Sequence, residues 1–180
     1  MKYCTAMMNR YETHGCMTKV WSTGKNSDLH FYIDTQMLWK IKFFTWRIYI
    51  NSRGYKMVET GLINNGKKIN FTLARYLLDF PNGKYVDHID RDPTNNRLSN
   101  LRVASPLENS QNANKHSTKT TSIYKGVCFH KSKKLWFAYI NSNKKRYNIG
   151  YFKNENDAAI AYNNKIKELN LAFSNLNEIV

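Results

Sequence analysis

Cysteine is scarce in this chain: Cys4, Cys16 and Cys128 are three in 180 residues, odd in number and far apart. No CxxC pair occurs, so a zinc knuckle or disulfide framework finds little support, and a reducing interior fits best. Long hydrophobic runs are also missing. Without eighteen consecutive apolar residues or a signal-peptide core, the sequence predicts neither a membrane span nor secretion, and the expected location is intracellular and cytoplasmic. Acidic residues are the third shortage, with 13 Asp+Glu against 28 Lys+Arg and a formal charge of +15. Between residues 109 and 153 there is no acid at all. Lys115, Lys119, Lys125, Lys131, Lys133, Lys134, Lys144, Lys145, Arg146 and Lys153 all fall in that window. Solvated surfaces normally mix signs. This stretch therefore points to a polyanionic partner, nucleic acid ahead of an anionic membrane. A hydrophobic content of 42% excludes a wholly disordered chain.

What is present is organised by turn signals. Residues 1–28 show no clear period and remain unassigned. Residues 35–44 predict a short helix with Met37, Leu38, Ile41 and Phe44 on one side; Trp39, Phe43, Phe44 and Trp46 read as core. Strand-like runs follow at 45–50, 55–60 and 69–72, separated by Asn51-Ser52-Arg53-Gly54 and Asn64-Asn65-Gly66. Residues 73–80 predict a helix stopped by Pro81-Asn82-Gly83. Two short strands, 85–89 and 101–103, flank a polar loop. At Ser105-Pro106-Leu107-Glu108 the serine suits an N-cap, proline the first helical position, and Glu108 the capping-box position. Asn109 and Asn112 then share a helix face.

Residues 115–121 are rich in Lys, Ser and Thr and read as a linker. Strands are expected at 124–129, 135–141 and 146–152, then a helix capped by Asn154. Its buried stripe would be Ala158, Ala161, Tyr162, Lys165 (by its stem), Ile166 and Leu169. Alternation places Trp136, Ala138 and Ile140 with Tyr147, Ile149 and Tyr151 under that helix. Phe137, Tyr139, Asn141, Arg146 and Asn148 would face outward.

The densest chemistry lies at Asp87-His88, with Asn100 twelve residues past the histidine and Asn109 twenty-one past it. Phosphodiester hydrolysis needs a proton taken from water, charge on the phosphate stabilised, and the leaving oxygen relieved of charge. A neutral imidazole does the first. A hard divalent cation held by oxygens does the others, and one carboxylate with one amide oxygen would leave it positions for phosphate and water.

The run Val86-Asp87-His88-Ile89-Asp90, then Asn95-Asn96-Arg97-Leu98-Ser99-Asn100-Leu101-Arg102-Val103, then Glu108-Asn109 and Asn112, resembles an HNH endonuclease of the homing type. The resemblance implies a β-β-α-metal hairpin that cuts or nicks DNA. It puts the general base on His88, the metal ligands on Asp87 and Asn109, and a loop-bracing asparagine on Asn100. The implied cofactor is Mg²⁺, or another hard cation such as Mn²⁺, rather than zinc. Asn112 is a second candidate at the Asn109 site. The His-Arg pair usual before this motif falls on Ala74-Arg75, so only its arginine is kept and no role is carried over.

Downstream, Tyr124-Lys125-Gly126-Val127, Trp136-Phe137-Ala138-Tyr139-Ile140, Ile149-Gly150-Tyr151-Phe152 and Asp157-Ala158-Ala159-Ile160-Ala161-Tyr162 resemble the ethylene-response-factor (Apetala-type) DNA-binding domain. That family lays a three-stranded sheet into the major groove. The resemblance implies DNA contacts at Lys125, Tyr139, Asn141, Arg146 and Asn148, with Arg146 reading a guanine; Lys134 of the basic stretch is a further candidate, and the lysines are expected to touch phosphate. Cys128, His130 and Asn141 replace family arginines, so that family's target is not carried over.

The expected fold class is α+β. A β-β-α-metal core with a β-rich extension spans 29–114, the linker 115–121, and a three-stranded antiparallel sheet packed on one helix 122–180. The expected function is a metal-dependent endonuclease acting on double-stranded DNA, with no membrane partner and with oligomeric state and recognition sequence left open. Rival readings are a non-catalytic sequence-specific DNA-binding regulator and an RNA-binding protein.

Overall fold

The structure, a computed structural model, describes residues 9–112, 121–142 and 145–180. The expected linker lies outside the described residues except for Thr121. The fold is α+β, with small antiparallel sheets and few helices. The chain divides into two compact units, Met1–Ser105 and Pro106–Val180. Among the described residues no helix is long and apolar enough to cross a membrane.

The first unit begins where the sequence offers no assignment. β1 (Tyr11–His14), β2 (Met17–Trp21) and β3 (His30–Asp34) form a sheet in that order. The β1–β2 turn pairs His14 with Met17, and Gly15 supplies the left-handed φ of +59° that its geometry requires. Val20, Phe31 and Ile33 point inward by strand alternation and are fully buried. β1 is exposed throughout, which is why its polar sequence carries no amphipathic signal.

The helix expected over 35–44 is a single turn, α1 (Leu38–Ile41), entered by a 3₁₀ turn. The apolar side is as read: Ile41 is buried, and Met37, Leu38 and Phe44 pack on the core. Trp39 and Phe43, however, are 63% and 58% exposed, because so short a helix covers only one side of itself. Trp46 is fully buried, donates its indole N–H to the Ile41 carbonyl at 3.0 Å, and packs against Phe44, Phe71 and Tyr76.

A second sheet follows: β4 (Arg47–Ile50), β5 (Lys56–Asn64) and β6 (Lys67–Thr72). β5 runs four residues past its expected end, since Asn65 and Gly66 (φ +47° and +73°) close a two-residue turn pairing Asn64 with Lys67. α2 (Leu73–Leu77) ends earlier than expected, where Asp79 and Phe80 turn left-handed. Arg75 donates to the carbonyls of Lys84 (2.7 Å) and Pro81 (3.1 Å), tying α2 to the chain entering the next hairpin. That hairpin is β7 (Tyr85–His88) paired with β8 (Leu101–Ala104). One core unites these elements: Val20, Phe31, Ile33, Ile41, Trp46, Ile48, Val58, Leu73, Ala74, Leu77 and Leu101.

The second unit opens with α3 (Pro106–Asn112), whose start matches the Ser-Pro-Leu-Glu signal. β9 (Val127–His130), β10 (Leu135–Ser142) and β11 (Lys145–Phe152) form an antiparallel sheet, and α4 (Glu155–Glu168) packs on it. The buried stripe of α4 is Ala158, Ala159, Tyr162 and Ile166; Ala159 replaces the expected Ala161, which is half-buried. A bulge between Ala138 and Tyr139 leaves Ile149 as the extra residue of β11. Trp136 then pairs with Phe152, and Phe137 with Tyr151. Tyr151 is thereby moved from its expected place under α4 to the outer face, and Phe152 takes the inner position.

Candidate functional site

β7 and β8 carry the central pair of residues on a short antiparallel ladder, Asp87 opposite Arg102 and His88 opposite Leu101. Adjacent strand positions leave opposite faces. Asp87 is buried, and Arg102 holds its Oδ2 through Nε at 2.9 Å and through Nη2 at 2.8 Å. Tyr55 is electrostatically coupled to the same carboxylate. Its phenol is pushed above the usual value, first by burial and then by Asp87.

His88 ends β7, half-buried, and its Nε2 lies 3.2 Å from Oδ1 of Asn96. Burial lowers the imidazole below its ordinary value. The hydrogen bond to Asn96 and the carboxylates of Asp90, Asp87 and Asp92 pull the other way without overcoming it.

Asn100 is buried where the loop re-enters the hairpin. Its Oδ1 accepts from Asp90 N at 3.0 Å, and its Nδ2 donates to Asp90 Oδ1 and to the Asn95 carbonyl, both at 2.8 Å. Its own carbonyl accepts from Ile89 N at 2.9 Å. Partial burial alone would raise the Asp90 carboxyl. Hydrogen bonds from Asp92 N, Asn95 and Asn100 outweigh that and hold it below its usual value.

The loop is also anchored from outside the motif. Tyr32 N donates to the Thr94 carbonyl and Asn96 N donates to the Tyr32 carbonyl, both at 2.8 Å. Asp34 accepts from Arg97 Nε at 3.0 Å and from Leu98 N at 2.7 Å. Sequence reasoning quotes Asn96, Arg97 and Arg102 inside the motif without a role and passes over Asp34. A lone aspartate 63 residues upstream of its arginine leaves no local signal.

Asp87, His88 and Asn100 thus lie on one hairpin of the first unit, Asp87 and His88 on opposite faces of its first strand. Asn109, half-buried, and Asn112, buried, lie on α3 in the second. Among the described residues no three His, Cys, Asp or Glu side chains gather as a cluster that could hold a metal ion.

In the second unit, Tyr139 pairs with Asn148 and Asn141 with Arg146, so these four share the outer face of the sheet. The Arg146 guanidinium sits 4.1 Å over the Tyr139 ring. Phe137 stacks on Tyr139 at 5.9 Å between centroids and meets Tyr151 at 4.8 Å, while Lys133 Nζ lies 3.9 Å over the Tyr151 ring. Lys134 is exposed at the β9–β10 turn, at φ +53°. Lys125 stands before β9, its backbone gripped by the Asn177 amide: Lys125 N donates to Asn177 Oδ1 at 2.7 Å and Asn177 Nδ2 donates to the Lys125 carbonyl at 3.0 Å. Tyr151 joins this face because the bulge re-aims it, and Lys133 reaches it from the β9–β10 turn, where alternation makes no prediction.

Residues 79–111 match the family model of the HNH endonucleases. Three relatives are similar over parts of the chain. Protein 3.8 of Escherichia phage T7 is 38% identical over 69 residues, 38% of this chain and 56% of that protein. A protein of Bacillus subtilis derived from the SPbeta prophage and named for an HNH homing endonuclease is 32% identical over 73 residues, 38% of this chain and 42% of its own length. A protein of Acanthamoeba polyphaga mimivirus named as an uncharacterized HNH endonuclease is 37% identical over 99 residues, 55% of this chain and 50% of its own. The chain therefore spans about half the length of the curated relatives it matches. No solved structure matches it.

Proposed function

We propose that this protein is a metal-dependent DNA endonuclease of the HNH homing type, carried by a mobile element, that hydrolyses phosphodiester bonds in double-stranded DNA. The HNH match over residues 79–111 and the relatives named for HNH endonucleases support the nuclease reading. The observation that carries it is His88, seated on Asn96 at the end of a hairpin whose loop Asn100 braces. His88, as the neutral imidazole, takes the proton of the attacking water. Asn100 keeps the loop in the shape that presents His88.

The donor chemistry at Asp87 and Asn109 fits a hard cation, since a carboxylate and a carboxamide both offer oxygen. On this reading Asp87 and Asn109 would be the ligands of that cation. When bound, Mg²⁺ or Mn²⁺ supplies charge neutralisation at the scissile phosphate and its leaving oxygen. The outer face of the β9–β11 sheet, in the manner of an Apetala-type domain, reads part of the target. Arg146, Asn148, Tyr139 and Asn141 meet bases, and Lys125 and Lys134 meet phosphates.

One observation favours a second reading, a DNA-binding regulator without catalysis. The Arg102 guanidinium already pairs with Asp87, and a cation must share or displace it. Plasmid nicking in Mg²⁺ separates the two. The expected result is nicking by wild type, its loss by at least about 100-fold in His88→Ala, and retained DNA binding by the variant. A wild type that binds but never nicks with either metal supports the regulator.

A further inference from the structure

We propose that the outer face of the β9–β11 sheet selects duplex DNA rich in A·T pairs, with Asn141 and Asn148 reading adenines, Phe137 and Tyr151 receiving thymine methyls, and Arg146 admitting a single guanine. The proposal deepens the function above and rests on its assignment of this face to DNA.

The strand register lays the face out as a grid. Cys128, Phe137 and Tyr151 stand side by side across the three strands. Tyr139 and Asn148 form the next row, and Asn141 and Arg146 the last. What such a face can read follows from its functional groups. A carboxamide offers a donor and an acceptor in one plane, which matches N7 and N6 of adenine. Asn141 and Asn148 are exposed on this face. Guanine presents two acceptors, O6 and N7, and is met by a guanidinium. Among these side chains Arg146 alone is charged. It lies over the Tyr139 ring at 4.1 Å and over the Phe137 ring at 5.7 Å, so two aromatic rings hold it on the sheet.

Cytosine presents an amino donor and is read by a carboxylate, and the chain carries no acid between residues 109 and 153. Thymine is marked by its methyl group, which is met by an apolar surface. Phe137 and Tyr151 supply one, their rings 4.8 Å apart, with Cys128 beside Phe137. The bulge at Ile149 is what brings Tyr151 into this row. Lys133, over the Tyr151 ring at 3.9 Å, must swing to a phosphate to uncover it. Lys133 and Lys134 lie at the β9–β10 turn and Lys125 before β9. From there they meet phosphates of any sequence, which sets affinity rather than choice.

The test uses the full chain in EDTA, so that bound duplex stays uncut. Sequencing the duplexes retained from a random library is expected to give a site dominated by A·T pairs with one G·C pair. Asn141→Ala and Asn148→Ala should each weaken that site by about 5- to 150-fold, relax the preference at one position, and leave binding to unselected duplex unchanged. Uracil in place of thymine removes only the methyl. It should weaken wild type severalfold and Tyr151→Ala not at all; a uracil duplex that wild type binds equally well overturns the methyl assignment. A G·C-rich selected site overturns the proposal, as does a wild type that binds every duplex alike, and both leave DNA binding standing. Equal losses by the asparagine variants on selected and unselected duplex overturn it too. A wild type that holds no duplex removes the DNA reading of this face, and the proposal with it.

Discussion

Tyr162 illustrates how a single buried side chain imposes a condition on its surroundings. It is 3% exposed, and its ring occupies the space beside Gly126, where an added Cβ would lie 2.2 Å from Cε2. Gly126 is at φ +70° and donates its lack of side chain to that packing. Burial first, and the neighbouring Tyr139 second, push the phenol up to about 12. The fold therefore favours the neutral phenol. The associated stability is fully present below pH 10, the unfolded value, and is lost as pH rises toward the folded value. Roughly 2–3 kcal/mol should disappear across that interval. Urea melts at about pH 9 and about pH 11.5 measure it, with Tyr162→Phe as the control. Wild type should lose that much more than the variant; equal losses would refute the assignment. At this scale the sequence was legible in part. The placing of His88 and Asn100 on one hairpin is readable from residue type and spacing because that hairpin is local. Asp34 and the orientation of Asn96 do not, because both depend on a strand pairing that crosses some sixty residues, as in Tyr32 to Asn95.

Among the elements, strand alternation succeeds through Asn148 and fails after the bulge at Ile149. Tyr139, Asn141, Arg146 and Asn148 face outward as their period predicts. A one-residue bulge then inverts every later position, which no propensity announces. The contrast is measurable. Phe152→Ala should lower stability by about 2 kcal/mol, less than a fully buried phenylalanine because the ring is only partly covered. Tyr151→Ala, 40% exposed in wild type, should cost less than about 1 kcal/mol and instead weaken DNA binding. Thermal melts and a binding titration on both variants would expose an inverted register as the reverse pattern. The same limit explains α1. Periodicity picked the buried side of residues 35–44 but not the helix length, so Trp39 and Phe43 were assigned to a core that one helical turn does not reach.

At the level of the whole molecule, charge is the dominant fact: +15 formally, with no acid between residues 109 and 153. If Lys125, Lys134 and one further lysine sit at phosphates, the logarithm of DNA affinity should fall with the logarithm of salt at a slope near roughly −3. A filter-binding series across salt concentrations checks this, and a flat response would remove phosphate from the account. The staple between β3 and the loop carries a different implication. The recognisable signature begins at residue 79, yet the strand that steadies it was synthesised dozens of codons earlier. The heritable unit of this fold is therefore longer than its fingerprint: a recombination that transplanted the signature alone would move the words of the motif and leave its grammar behind.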